Sequence, residues 1–117
     1  MQLQLYGKQI WVYKKAIDFR SSIDGLCSLV KTALQRNPQE AIYLFYNRHR
    51  DKLKCLSYHK NGFVLLYKRL DEGKFKFIFN KDQGSCEIGP QELSWLLAGL
   101  EWQKMRRWKE LDYSKFD

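Results

Sequence analysis

Ala41-Ile-Tyr-Leu-Phe-Tyr-Asn-Arg-His-Arg-Asp-Lys-Leu-Lys-Cys-Leu-Ser-Tyr-His-Lys-Asn-Gly-Phe-Val-Leu-Leu-Tyr-Lys-Arg-Leu70 reads as three strands and two turns. Residues 41–46 are dense in the aromatic and branched side chains that suit a pleated surface, and 52–58 and 63–70 follow the same pattern. Asn47–Asp51 is a polar turn. Asn61-Gly62 is a strong hairpin signal, because both residues tolerate the positive φ of a type I′ turn. Strands joined by turns this short are expected to be antiparallel neighbours in a meander.

Downstream, Asp71-Glu72-Gly73 marks another tight turn. Lys74–Phe79 then alternates strictly, which predicts a fourth strand with Phe75, Phe77 and Phe79 on one face. Ser85–Ile88 reads as a short edge strand. Gly89-Pro90 opens a helix with proline at its favoured first position, and Leu93, Leu96, Leu97 and Leu100 mark the buried side. Beyond it Trp102, Met105, Trp108 and Leu111 recur every third residue among Lys104, Arg106, Arg107 and Lys109.

Upstream, Ile10–Tyr13 is a first strand or an extended arm, ended by Lys14 and Lys15. The spacing of Ile23, Leu26, Cys27, Val30 and Leu34 predicts a helix from about Ile23 to Gln35. Ser21 and Ser22 supply oxygens for its first N–H groups, Asp24 suits the positive end of its dipole, and Pro38 stops it. Gly25 lowers helix propensity by up to about 1 kcal/mol, so a close packing contact is expected there. Two apolar helix stripes and one sheet imply a compact α+β domain, an antiparallel meander of about four to five strands with two or three helices packed on one sheet face. Residues 1–102 form this single domain, and 103–117 form a basic, aromatic tail.

At 117 residues, one domain is the default, and such a chain buries roughly 65% of its unfolded surface. A hydrophobic content of 44% argues against disorder. No apolar run approaches the roughly 20 residues of a membrane span, and the N-terminus does not resemble a secretory signal. Cys27, Cys55 and Cys86 are odd in number and far apart, and His49 and His59 do not complete a ligand set. A disulfide framework or zinc site is therefore not expected, and a reducing cytoplasm fits. The carboxylates fall in turns, helix starts and the tail. No phosphate-binding loop or serine-hydrolase motif occurs, so no enzymatic activity and no cofactor are expected.

The positive signal is charge. Twenty-one Lys and Arg against 13 Asp and Glu leave +8 at pH 7. The cations concentrate in the meander at Arg48, Arg50, Lys52, Lys54, Lys68, Arg69, Lys74 and Lys76, with Tyr46, Tyr58 and Tyr67 between them. If Asn61 and Gly62 are the turn residues, Lys54 faces Arg69; a turn at 71–73 sets Lys68 opposite Lys76. Like charges directly opposed destabilise a sheet, so their retention points to an anionic partner, and rings beside cations suit nucleic acid. A solvated basic face and an acidic protein partner are the alternatives. Trp102, Met105, Arg106, Arg107 and Trp108 belong to a nucleic-acid arm, to a surface that docks a partner, or to a helix folded back on the sheet.

Several stretches, in order, resemble one family. Asp18-Phe-Arg-Ser-Ser-Ile-Asp-Gly-Leu26, Asn47-Arg-His-Arg-Asp-Lys-Leu-Lys54, Asn61-Gly-Phe63, Tyr67-Lys-Arg-Leu-Asp-Glu-Gly-Lys-Phe75, Gln91-Glu-Leu93 and Leu97-Ala-Gly-Leu-Glu101 are similar to segments of the TnpB-type accessory proteins. Bacterial insertion sequences encode these beside a separate Asp-Asp-Glu transposase; they are not the RNA-guided nucleases of the same name. The chain departs from that pattern at His59 and at Ile78-Phe79-Asn80. The resemblance implies an accessory part in DNA transposition, with DNA and the element's transposase as partners and no membrane. It supplies no chemical step. Asp18, Arg20, Asp24 and Gly25 then read as structural, an acid–arginine pair locking the start of the helix. Non-specific DNA binding through the basic meander is the leading expectation. An adaptor docking on the transposase and, more remotely, a metal-dependent nuclease are the alternatives.

Overall fold

A computed structural model describes residues 8–77 and 85–98. Among them the chain forms β1 (Ile10–Tyr13), α1 (Ile23–Thr32), β2 (Ile42–Tyr46), β3 (Lys52–His59), β4 (Gly62–Arg69), β5 (Ser85–Ile88) and α2 (Pro90–Leu97). The strands build one sheet in the order β4-β3-β2-β1-β5. The α+β class is as expected, with β2, β3 and β4 as the meander.

The meander is only part of the sheet. β1 pairs with β2 in parallel, Ile10 beside Ile42 and Val12 beside Leu44, and β5 pairs antiparallel with β1 on its other side. Parallel neighbours need a long crossover, and α1 provides it. β2 thereby becomes the central strand, buried along its whole length. Period-two alternation sends Ile42, Leu44 and Tyr46 to one core and Tyr43 and Phe45 to the other.

The helices cover opposite faces of the sheet, not one face as expected. Leu26, Cys27 and Val30 of α1 pack with Tyr43, Phe45 and Leu56. Leu93 and Leu96 of α2 pack with Ile10, Val12, Leu53 and Cys55. The arrangement is therefore three layers. Each fully buried Leu or Val contributes about 1.5–3 kcal/mol, so both layers matter to stability.

α1 starts as its sequence predicts. The Ser22 hydroxyl oxygen accepts from the Gly25 N–H at 3.4 Å, and Asp24 sits in the first turn. The helix stops at Thr32 rather than Gln35. Gln35 takes φ 52° and the Arg36 N–H donates back to the Val30 carbonyl at 3.2 Å, so a left-handed residue ends the helix before Pro38 can. Gly25 is exposed, and a Cβ there would meet only Ser21 and Ser22 side-chain atoms at 3.7 Å or more, so no close packing contact requires it. Trp11 is shielded by Arg36, whose guanidinium lies 3.6 Å from the indole centroid.

The fourth meander strand is not formed over its described part, 74–77; residues 78 and 79, like the tail, lie outside the described residues. Phe75 and Phe77 are nevertheless both buried, on the α2 side of the sheet. The Phe75 N–H donates to the Arg50 carbonyl at 2.6 Å, and Phe77 stacks on Tyr46 with centroids 4.5 Å apart. The alternation reports side-chain burial and not strand pairing. The β3–β4 register also differs. His59 pairs with Gly62, so Lys60 and Asn61 form the loop, with Lys60 at φ 55°. The shift is two residues, which keeps every side chain on its face.

Candidate nucleic-acid interface

The register places Lys52 opposite Arg69, and Lys54 opposite Tyr67. A like-charge pair is thus present, with partners other than those the sequence suggested. Lys68 faces Leu53 and not Lys76.

Topology gathers eight of the fifteen Lys and Arg of the described residues at one end of the sheet. β1 and β2 run parallel, so Lys14 and Lys15, after β1, lie at the same end as the β2–β3 turn. The Tyr46 hydroxyl donates to the Lys14 carbonyl, and the Ile17 N–H donates to the Tyr46 carbonyl at 2.9 Å. The antiparallel β4 returns Arg69 to this end, and the Leu70 N–H is held on the Asp51 carbonyl at 2.8 Å. The Phe75 bond to Arg50 brings Lys74 and Lys76 there as well. Lys15, Arg48, Arg50, Arg69, Lys74 and Lys76 are exposed there, and Lys14 and Lys52 half-buried. Asp51, Asp71 and Glu72 are the acids of the same turns.

The turn that carries Arg48, His49 and Arg50 is rigidly built. Asn47 is buried, its side-chain oxygen accepting from the Lys52 N–H at 2.9 Å and its amide donating to Asp51 at 2.6 Å. That bond holds the Asp51 carboxyl below its usual range. The Arg50 N–H closes onto the Asn47 carbonyl at 3.0 Å. Arg50 itself takes φ 59°, a left-handed conformation that disfavours a long side chain by about 1–2 kcal/mol. Its guanidinium lies 5.7 Å from the Tyr46 ring centroid. Burial pushes the Tyr46 hydroxyl up, and the nearby Arg50 charge offsets part of that.

Two residues expected among the outward cations have other positions. Lys54 is 7% exposed and points to the α1 side, where its ammonium donates to the Phe19 and Ser21 carbonyls, each at 2.8 Å. Lys68 lies on the α2 side and donates to the Leu97 carbonyl at the C-terminal end of α2, where a positive charge suits the dipole. Trp102, Met105, Arg106, Arg107 and Trp108 lie outside the described residues. Lys14 and Lys15 were missed as site residues because their place depends on the parallel pairing; their adjacency just after a strand was the available signal.

Asp18 and Arg20 form the expected acid–arginine pair, Nη2 to Oδ2 at 2.6 Å, and the Arg20 N–H also donates to Asp18 Oδ1 at 2.9 Å. The guanidinium bond is the main reason the Asp18 carboxyl falls to about 2. The cysteines among the described residues are free. Burial pushes the Cys55 thiol up to about 12, so it holds no thiolate at neutral pH. Among the described residues no group of three or more His, Cys, Asp or Glu is placed to hold a metal ion. No helix there is long and apolar enough to cross a membrane.

A small α+β chain with this motif order is an accessory protein of an insertion sequence. It belongs to the family of IS66 Orf2 like proteins, which it matches over residues 8–107. Among curated relatives, the chain is 37% identical over 102 residues to the uncharacterized protein y4jC of Sinorhizobium fredii (strain NBRC 101917 / NGR234), covering 86% of each chain. It is 30% identical over 96 residues to the uncharacterized protein y4hO of the same strain, covering 81% of this chain and 83% of the relative. No solved structure matches.

Proposed function

We propose that this chain holds the phosphate backbone of element DNA during transposition, in the cytoplasm and without catalysing a chemical step. One observation carries the reading. Loops after β1, between β2 and β3, and after β4 converge on one sheet end with Lys14, Lys15, Arg48, Arg50, Lys52, Arg69, Lys74 and Lys76. A surface of this kind attracts polyanion and raises its encounter rate. The exposed cations of this end are on turns, loops and the last residue of β4, and neither α1 nor α2 presents them to a groove, which favours backbone contact over base readout. The locked Asn47 turn adds support, since a preset geometry lessens the ordering entropy of binding.

A salt titration of DNA binding tests the reading. With about five phosphates neutralised, log affinity falls against log salt with a slope near −4 to −5. The double change Arg48→Glu, Arg50→Glu is expected to weaken binding at least about tenfold, a loss of about 1.4 kcal/mol, while stability stays within about 0.5 kcal/mol. Absence of binding at low salt sinks the proposal. Unchanged binding in the double variant moves the site elsewhere on the chain.

A further inference from the structure

We infer that the α1 side of the β3–β4 ribbon is a subsite for an unpaired nucleobase, with the Tyr67 ring as its stacking platform. This rests on the DNA-binding reading and adds the form of DNA preferred. Tyr67 is the exposed large hydrophobic among the described residues, 52% accessible, on the edge strand β4. Two residues earlier on the same face, Leu65 already packs with the α1 core, so the ring stands just beyond the cover of that core.

The ring is exposed yet supported. Phe19 meets it edge-to-face, centroids 5.9 Å apart at 62°. Phe19 in turn carries the Lys54 ammonium 4.9 Å from its centroid, and that ammonium is pinned by the Phe19 and Ser21 carbonyls. A buried cation thus orients one aromatic, which orients the next. The chain of contacts spares a bound base much of the entropy of ordering its platform.

Charge on the same face identifies the ligand. Arg69 follows Tyr67 by two residues and stands about 7 Å along the strand, with Lys52 directly across from it. Arg20, next to Phe19 in the chain, is exposed but paired with the Asp18 carboxylate, so the positive charge of this face rests on Arg69 and Lys52. A ring flanked by cations fits a base with its own phosphates. In a duplex the base faces are covered by their neighbours in the stack, so a ring on a sheet edge finds a free π-face only on an unpaired base. The Lys52–Arg69 opposition, unfavourable in the free protein, is relieved when a phosphate lies between the two.

The test compares labelled oligothymidylate with a duplex of equal length, at one salt concentration, by fluorescence anisotropy. Tyr67→Ala is expected to weaken single-strand binding roughly 5- to 150-fold and leave duplex binding unchanged, while Tyr67→Phe keeps both. An oligonucleotide carrying 5-iodouracil, photo-crosslinked to the unaltered chain, should place its adduct on Tyr67 when peptides are mapped by mass spectrometry; this readout needs no variant to fold. Adducts confined to other peptides, or single-strand affinity unmoved by Tyr67→Ala, overturn the subsite and leave the phosphate-holding reading intact. Failure of the chain to bind either DNA at low salt overturns both.

Discussion

The Lys54 ammonium donates to the Phe19 carbonyl at 2.8 Å and lies 4.9 Å from the centroid of that residue's ring. A buried cation of the interior strand β3 is thus a fastener for the segment before α1, and not a free charge. Lys54→Met keeps the apolar stem and leaves two carbonyls without their donor. Charge-assisted bonds of this kind contribute about 1.5–3 kcal/mol, so urea unfolding should show a loss of that order. An unfolding midpoint equal to that of the unaltered chain would mean water replaces the ammonium without loss.

Arg50 combines an exposed cation with a left-handed backbone. Arg50→Gly is therefore expected to move stability and binding in opposite directions. Glycine adopts φ near 59° without steric strain, which should stabilise the fold by about 0.5–1 kcal/mol after its larger unfolded-state entropy is allowed for. The loss of one phosphate contact should lower DNA affinity and flatten the salt slope by about 1. Paired thermal melts and binding titrations check it. A variant that is both less stable and equally tight refutes the assignment of Arg50.

The Asp18–Arg20 pair predicts an acid dependence. The Asp18 carboxyl is held at about 2, chiefly by the guanidinium bond, against 3.8 unperturbed. Because the folded value is lowered, the associated stability is fully present above about 3.8 and is lost as pH falls through about 2. NMR titration of the Asp18 carboxyl should give the low midpoint, and Arg20→Gln should raise it. Asp18→Asn should flatten this part of the acid limb in melting experiments.

Gly25 offers a stabilising change. It lies inside α1, its φ is not left-handed, and a Cβ would meet nothing closer than 3.7 Å. Gly25→Ala should stabilise the fold by about 0.5–1 kcal/mol, raising Tm by about 2–6 °C. A fall in Tm would mean that the helix requires glycine for a reason other than space.

Deletion of residues 103–117 separates the DNA-holding reading from the adaptor reading. DNA affinity should persist, because the converging loops at the sheet end are retained. Pull-down of the element's transposase by the full chain, lost on deletion while DNA affinity is unchanged, would assign partner docking to the tail. Loss of DNA binding on deletion would move the DNA site there.

What was legible in the sequence was local. β2, β3 and β4 follow from β-favouring composition and turn residues within one or two positions, α1 begins at its serine cap, and α2 begins at Pro90. The misread features depend on distant partners. Ile10–Tyr13 contains nothing that says it will lie parallel to residues 42–44, yet that pairing sets two layers of helix and brings Lys14 and Lys15 to the site. Lys74–Phe77 alternates because every second side chain enters the core, a pattern that an unpaired arm shares with a strand. Lys54 looked like its basic neighbours because charge alone does not reveal which carbonyls lie overhead. The cluster was visible as composition; its membership required the topology.

β1 stands between β2 and β5, although it precedes both in the chain. Its hydrogen bonds with β5 join positions 10–13 to 85–88, almost the full span of the described fold. The β3–β4 hairpin, by contrast, closes through a two-residue loop and can form early from local contacts. The sheet therefore has a seam that seals last, since closing so long a loop carries entropy that local pairing avoids. During synthesis, the first strand must wait for the fifth, and until then both edges of that seam are open to other chains in the crowded vicinity of the ribosome.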